Sequence, residues 1–323
     1  MQMANQVVRR AAAVAAALLG LACGASATEN GGSVWPLGAE SYATAAGVPR
    51  AGETMLLEYT CFVNANELVD GHGRKIPMNF SVNAFVVAGE LSHNWGVKVL
   101  GGQLESHFAA PTTYQSLRIG TSASSNEGLR NVNLVPFDVL NHRGMVHWNY
   151  ELEFQTLATG YEAGSTSNIG QHNTAMTPGA AVTLTPHKDA QNITTGFDYI
   201  INNVDHATHY HSGNEFLWQF DGQQRIGHRG ASMGLQGFYH KQITNDTQNG
   251  ARVVTTNVDG TVSIGNKGRQ LDLGPQVTFP WGRHGALVFK WNHDMLVENG
   301  ARGNTFWFQF GIPLSILHSP VRQ

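Results

Sequence analysis

The feature that most restricts this chain is an alternation of period two sustained through residues 305–317. Phe306, Phe308, Phe310, Ile312, Leu314 and Ile316 are large and apolar, whereas Thr305, Trp307, Gln309, Gly311, Pro313 and Ser315 are mostly small or polar. Successive side chains of an extended strand point to opposite faces, so this is a strand with one greasy face and one wet face. Strands of soluble domains usually run to about 5–6 residues; a tilted strand crossing a bilayer needs roughly 9–11. The same alternation is sharpest at residues 146–155. There Val146, Trp148, Tyr150, Leu152 and Phe154 oppose His147, Asn149, Glu151, Glu153 and Gln155. A face carrying two glutamates, an asparagine and a histidine cannot sit in a dry core without partners.

The pattern recurs along the chain. In the first strand, Met55, Leu57, Tyr59, Cys61 and Val63 form the apolar set against Glu58 and Thr60. Further strands are expected at about 78–87, 95–108, 129–140, 174–185, 193–202, 215–220, 233–239, 270–279 and 287–292. A short turn is expected at 91–94, a long polar loop at 109–128, and a register slip at Pro136 of the kind a bulge produces. The even-numbered strands are followed by turns of a few residues, and most odd-numbered ones by long polar connections. Twelve strands with that asymmetry predict an all-β fold, a single transmembrane antiparallel up-and-down β-barrel with an apolar outer band and a polar lumen. The competing reading is a soluble sandwich or barrel with the apolar face inward. Strand length and aromatic-rich apolar faces (Trp148, Tyr150, Trp218, Tyr239, Phe279, Trp291) favour the membrane, as does a charged fraction of 13%, about half the usual share. The net charge of −3, with Lys and Arg scattered, gives no basis for nucleic-acid binding.

Residues 1–27 read as a secretory signal: Arg9 and Arg10 precede an apolar run, and Ala25-Ser26-Ala27 is an A-x-A cleavage site. Cys23 raises a lipoprotein alternative, but Leu21 stands one place out of register for it. Cleavage after Ala27 leaves Cys61 as the sole cysteine, so no intramolecular disulfide is expected. Residues 28–53 form an extended N-terminal segment, small and uncharged enough to plug the barrel mouth. The barrel spans 54–317 and a tail covers 318–323.

Twelve polar residues are expected to line the lumen: Glu58, His147, Glu151, Glu153, Asp198, Glu215, Gln236, His240, Asp272, Gln276, Lys290 and Gln309. They would make a mildly acidic pathway, or a hydrogen-bonded filling that holds a narrow barrel together. His206, His209 and His211 fit no standard metal spacing, and no catalytic, cofactor or metal residues are nominated.

Several motifs, in order, resemble the family named for the MetA pathway of phenol degradation, outer-membrane transporters of Gram-negative bacteria. They are Gly31-Gly32-Ser33-Val34-Trp35-Pro36, Asn168-Ile169-Gly170 with Pro178 and Thr185-Pro186 after it, Tyr210-His211-Ser212-Gly213-Asn214-Glu215-Phe216, Leu273-Gly274-Pro275-Gln276, and the closing strand 304–314. The resemblance implies passive uptake of small hydrophobic or aromatic solutes, phenol-like or lipid-like amines such as sphingosine. It also implies contact with outer-membrane lipid and lipopolysaccharide, and assembly by the barrel-assembly machinery. One alternative is a structural or interaction barrel whose loops bind partners. A more distant one is an outer-membrane acyl hydrolase using the His211-Ser212 pair, which geometry must decide.

Overall fold

The computed structural model describes residues 32–40, 49–162, 165, 167–227, 230–281 and 285–315. The signal segment with Cys23, the tail 318–323 and the last two residues of the expected closing strand lie outside the described residues. In chain order the strands are β1 (Thr54–Val69), β2 (Phe80–Val99), β3 (Gly102–Ile119), β4 (Ser122–Leu129), β5 (Asn133–Arg143), β6 (Val146–Gln155), β7 (Ala175–Leu184) and β8 (Gln191–Asn202). After them come β9 (Tyr210–His211), β10 (Glu215–Ile226), β11 (Ala231–Gln242), β12 (Thr247–Gln248), β13 (Ala251–Arg252), β14 (Val254–Thr256) and β15 (Val262–Ile264). The last three are β16 (Arg269–Trp281), β17 (Gly285–Glu298) and β18 (Gly300–Pro313).

Twelve of these strands close into an antiparallel barrel. The first strand pairs with the last, from Met55 opposite Pro313 to Val69 opposite Gly300, and β1 also pairs with β2. Closure gives every barrel strand a neighbour on both sides, which lipid demands because it offers no hydrogen bonds to an open edge. Most short turns lie at one end, with β1 starting and β18 finishing there. The long connections lie at the other, as does the short link that Asn299 makes between β17 and β18.

Beyond the long-loop end the sheet continues as a projection. The far half of β3 leaves β5 and pairs instead with β4, an extra strand outside the ring. Three-stranded β9–β12–β13 and the β14–β15 hairpin fold over the same end.

Two expectations about strand limits are corrected here. Residues 91–94 are not a turn: they lie inside β2, and Trp95 belongs to that strand rather than opening the next. The hairpin bend is at Leu100-Gly101, where Leu100 and Gly101 both take positive φ. Residues 109–128, expected as a loop, form the outer half of β3 and most of β4. Their Ser- and Thr-rich composition hides a covered face on β3, where Thr113 is buried and Leu117 and Ile119 pack against Leu68, Ile76 and Phe80, while β4 is largely exposed.

The outer surface carries the apolar band. Phe62 (44% exposed), Phe85 (47%), Phe289 (47%) and Phe306 (48%) stand side by side on β1, β2, β17 and β18. The ring of Trp291 stacks on Phe306, and Phe197 on Trp218. Apolar surface this continuous has to meet lipid. We expect Phe289→Lys to lower the stability of the barrel in bilayers by about 2–4 kcal/mol, and Phe289→Leu to be near neutral. Reversible urea unfolding in liposomes measures both.

Candidate functional site

Parity decides which residues reach the lumen, and bulges reset it. On β5, Asn133 and Val135 line the interior, as do Asp138 and Leu140 three and five residues beyond Val135. An uninterrupted strand would turn Asp138 and Leu140 outward. The registers with β3 and β6 both shift across Pro136, adding the extra residue that keeps all four inside. The expected slip at Pro136 is therefore present, and it aims Asp138 into the lumen.

Eleven of the nominated lumen residues stand on the inner face. Glu153, Asp198 and Glu215 are buried, as are Gln236 and His240. Asp272, Gln276, Lys290 and Gln309 are buried as well. Glu151 lines the central cavity, and His147, on the same face of β6, lies 3.3 Å from the Thr185 hydroxyl. Glu58 is the exception and a correction. It is opposite Phe310 on β18 and Gly89 on β2, on the outward face that Thr60 and Phe62 share, and the Thr60 hydroxyl donates to its carboxylate. Met55, Leu57 and Tyr59, expected outside, line the cavity, and Cys61 is a buried thiol packed with Ala39 and Trp307. The first strand has apolar residues on both faces at Leu56, Leu57, Phe62 and Val63, so its own alternation does not tell inside from outside.

The inner face is a network of paired polar groups. The Asn202 and Gln219 amides donate to Glu215 (2.9 Å) and Asp198 (3.1 Å), and His240 lies 2.6 Å from the second Glu215 oxygen. Gln155 donates to Glu153 (2.9 Å) and Gln236 to Asn292 (3.1 Å). Most buried polar groups are partnered in this way, whereas both side-chain polar atoms of Gln276 are buried without a hydrogen-bond partner.

Residues 32–40 lie inside the ring. Trp35, 2% exposed, and Val34 pack with Ala175, Ile200, Leu217 and Phe238, inner-face residues of β7, β8, β10 and β11. The Lys290 ammonium donates to the carbonyls of Gly38 (2.6 Å) and Ala39 (2.7 Å), and Gln309 donates to Ala39 (2.7 Å). Lys290 also stands 5.4 Å from the Trp307 ring centroid, a cation–π distance. Gly38 has φ +80° and would place a Cβ 3.2 Å from the Phe238 ring, so both its conformation and its clearance call for glycine.

Below this segment a cavity of about 180 Å³ occupies the middle of the barrel and its short-turn half. Its lining mixes apolar side chains, Met55, Leu57, Tyr59, Val135 and Leu140, with Glu40, Glu90, Glu105, Asp138, Glu151 and Asp198, and Leu57 stands directly opposite Glu90 across β1 and β2. His107 is the basic group among them. Gly179 makes the acidic wall possible, because a Cβ there would stand 2.4 Å from Asp198 and 3.1 Å from Glu151. Sequence reasoning missed Glu90, Glu105, His107 and Asp138. The first three lie in the region of misplaced strand limits, and Asp138 lies just past the bulge.

Among the described residues, His206, His209 and His211 join no metal-type cluster. The His211 ring bonds the Asn202 carbonyl at 2.9 Å and His172 pairs with Asp205 at 2.8 Å. The long loops are tied instead through Asp246, which accepts from Tyr210, the Gly213 amide (2.8 Å) and Gln242 (2.7 Å). Burial pushes the Asp246 carboxyl up to about 7 against the lowering effect of these donors. A carboxyl raised on folding from 3.8 contributes stability in full below that value and loses it as pH climbs through about 7. We therefore expect faster amide exchange in residues 205–214 and 244–266 at pH 8 than at pH 5, after correction for intrinsic rates. Asp246→Asn should abolish the difference. Lys290→Met should free residues 32–40 from the wall, read as increased protease cleavage before Glu53 with the heat-modifiable barrel band retained.

Comparison with known proteins places this architecture. The crystal structure of the COG4313 outer membrane channel from Pseudomonas putida F1 is similar at a TM-score of 0.69 and 14% identity, over 85% of this chain and 98% of that one. The β domain of the Bordetella autotransporter BrkA is similar at a TM-score of 0.49 and 9% identity, over 82% of this chain and 100% of that one. No curated protein matches the sequence. The family described as "Putative MetA-pathway of phenol degradation" matches residues 65–310, most of the barrel, and the chain belongs to that family.

Proposed function

We propose that the protein is an outer-membrane channel for passive entry of small hydrophobic or aromatic solutes, with residues 32–40 as an internal plug. The observation that carries the reading is a cavity inside a closed barrel whose lining carries both apolar and acidic side chains. Its aliphatic and aromatic side chains suit an apolar body, and the carboxylates among them suit a hydroxyl or ammonium group. Phenol-like solutes match that division, and so do long-chain amines. Membership of a family described by phenol degradation supports the first class.

The plug reading rests on Trp35 and Val34 filling the long-loop half of the lumen, and on the Lys290 and Gln309 bonds that hold the segment. Passage then needs either movement of this segment or a path beside it. Insertion through the barrel-assembly machinery and lipopolysaccharide contact at the long-loop rim belong to the same reading.

Deleting residues 28–50 from the mature chain should raise single-channel conductance in planar bilayers severalfold; unchanged conductance would sink the plug. Liposomes carrying the intact protein should take up phenol or a long-chain amine faster than empty ones. Equal rates for both solutes would instead favour a barrel that serves only as a structural or interaction module.

A further inference from the structure

The acidic wall of the cavity contains one arrangement that its role as a solute path does not require. Glu105 on β3 stands directly opposite Asp138 on β5, and His107 follows Glu105 on the same face. One ligand-type atom from each lies within 4.8 Å of the others. His107 Nε2 is 3.6 Å from Glu105 Oε2 and 3.3 Å from Asp138 Oδ2. Around a tetrahedral ion with bonds of about 2.0–2.1 Å, neighbouring ligand atoms stand roughly 3.3–3.4 Å apart. We propose that Glu105, His107 and Asp138 form a binding site for a divalent first-row transition metal, such as Zn(II), with the fourth position open to the cavity.

The surroundings fit a metal site beyond the three ligands. His107 Nδ1 lies 2.9 Å from Glu90 Oε1, so donation to that carboxylate leaves Nε2 with its lone pair toward the ion. This is the carboxylate–histidine–metal arrangement that sets ring orientation and raises ligand basicity. The Ser92 hydroxyl donates to Glu105 Oε2 (3.2 Å) and the Asn149 amide to Asp138 Oδ1 (3.0 Å), so both carboxylates are fixed by neighbouring donors. Glu105 is 2% exposed, and its second oxygen, Oε1, is buried without a hydrogen-bond partner while the residue lines the cavity. An unpartnered buried carboxylate oxygen costs more than an ordinary lost hydrogen bond, and a cation taken by both Glu105 oxygens would satisfy it.

Ligand chemistry narrows the ion. An imidazole and contacts this short disfavour Ca²⁺, which takes six to eight oxygens at about 2.3–2.6 Å, and Mg²⁺, which keeps octahedral oxygen ligands. A mixed nitrogen and carboxylate set suits Zn(II), Mn(II) or Co(II).

The rival occupant is a proton: an imidazolium at His107 bridging Glu90, Glu105 and Asp138 with no metal. The test uses the full mature chain in detergent, stripped with chelator and titrated with Co(II) and Zn(II). We expect one equivalent of Co(II) to bind with the visible absorption of a four-coordinate site, and Zn(II) to displace it. His107→Gln should abolish that band. Glu105→Gln and Asp138→Asn should weaken binding at least as much as Glu90→Gln, which perturbs the ligand only through its hydrogen bond and should cost about 10–100-fold. Heat-modifiable gel migration shows which variants still fold, and any one folded ligand variant suffices to decide. Absence of a bound equivalent in the wild type overturns the site in favour of the imidazolium. So does Co(II) binding that every folded variant retains, which would trace it to the loop histidines.

Discussion

The structure depends on one seam. β1 and β18 pair along almost their whole length, and this antiparallel ladder converts a twelve-strand sheet into a ring. In lipid an unpaired strand edge would leave a row of amides and carbonyls with neither water nor protein to bond. The alternation that opens outward at Phe306 and Phe308 can face lipid only because Thr60 and Phe62 on β1 complete the ladder beside them.

Closure creates a second problem, which the interior solves. A twelve-strand ring encloses more space than short polar side chains fill, and buried polar groups must find partners. Part of the answer is the wall itself, in pairs such as Gln155 with Glu153 and His240 with Glu215. The remainder is the chain's own N-terminal segment. Lys290 would be a costly isolated charge at this depth. The carbonyls of Gly38 and Ala39 and the face of Trp307 supply its counter-dipoles, so the same residue that needs solvation fastens the segment. The cavity is what that filling leaves over.

Much of this was legible residue by residue. The closing strand, β6 and β10 alternate cleanly, and the structure puts Gln309, Glu153 and Glu215 inside as their periods require. Errors came where period two was absent or doubled. β1 is apolar on both faces, because its inner face meets Ala39 and the cavity while its outer face meets lipid, and its alternation alone therefore puts Glu58 on the wrong side. The outer half of β3 and β4 stand beyond the apolar band, with only Leu117 and Ile119 packing on an apolar cluster, so they read as loop. Asp138 lies three residues after Val135 yet shares its face, a relation that only the bulge at Pro136 permits.

The architecture is written in the local sequence: long amphipathic strands, alternating short and long connections, and hence a closed membrane barrel with a polar interior. It is legible there because strand periodicity and turn chemistry are local properties, written within ten or so residues. Tertiary structure alone decided what the interior is. Whether residues 32–40 enter the ring, which face of β1 turns inward, and that Glu90, Glu105, His107 and Asp138 meet on one wall depend on cross-strand register and bulges. Register is a relation between segments distant in the chain, and a shift of one residue exchanges the two faces of a strand.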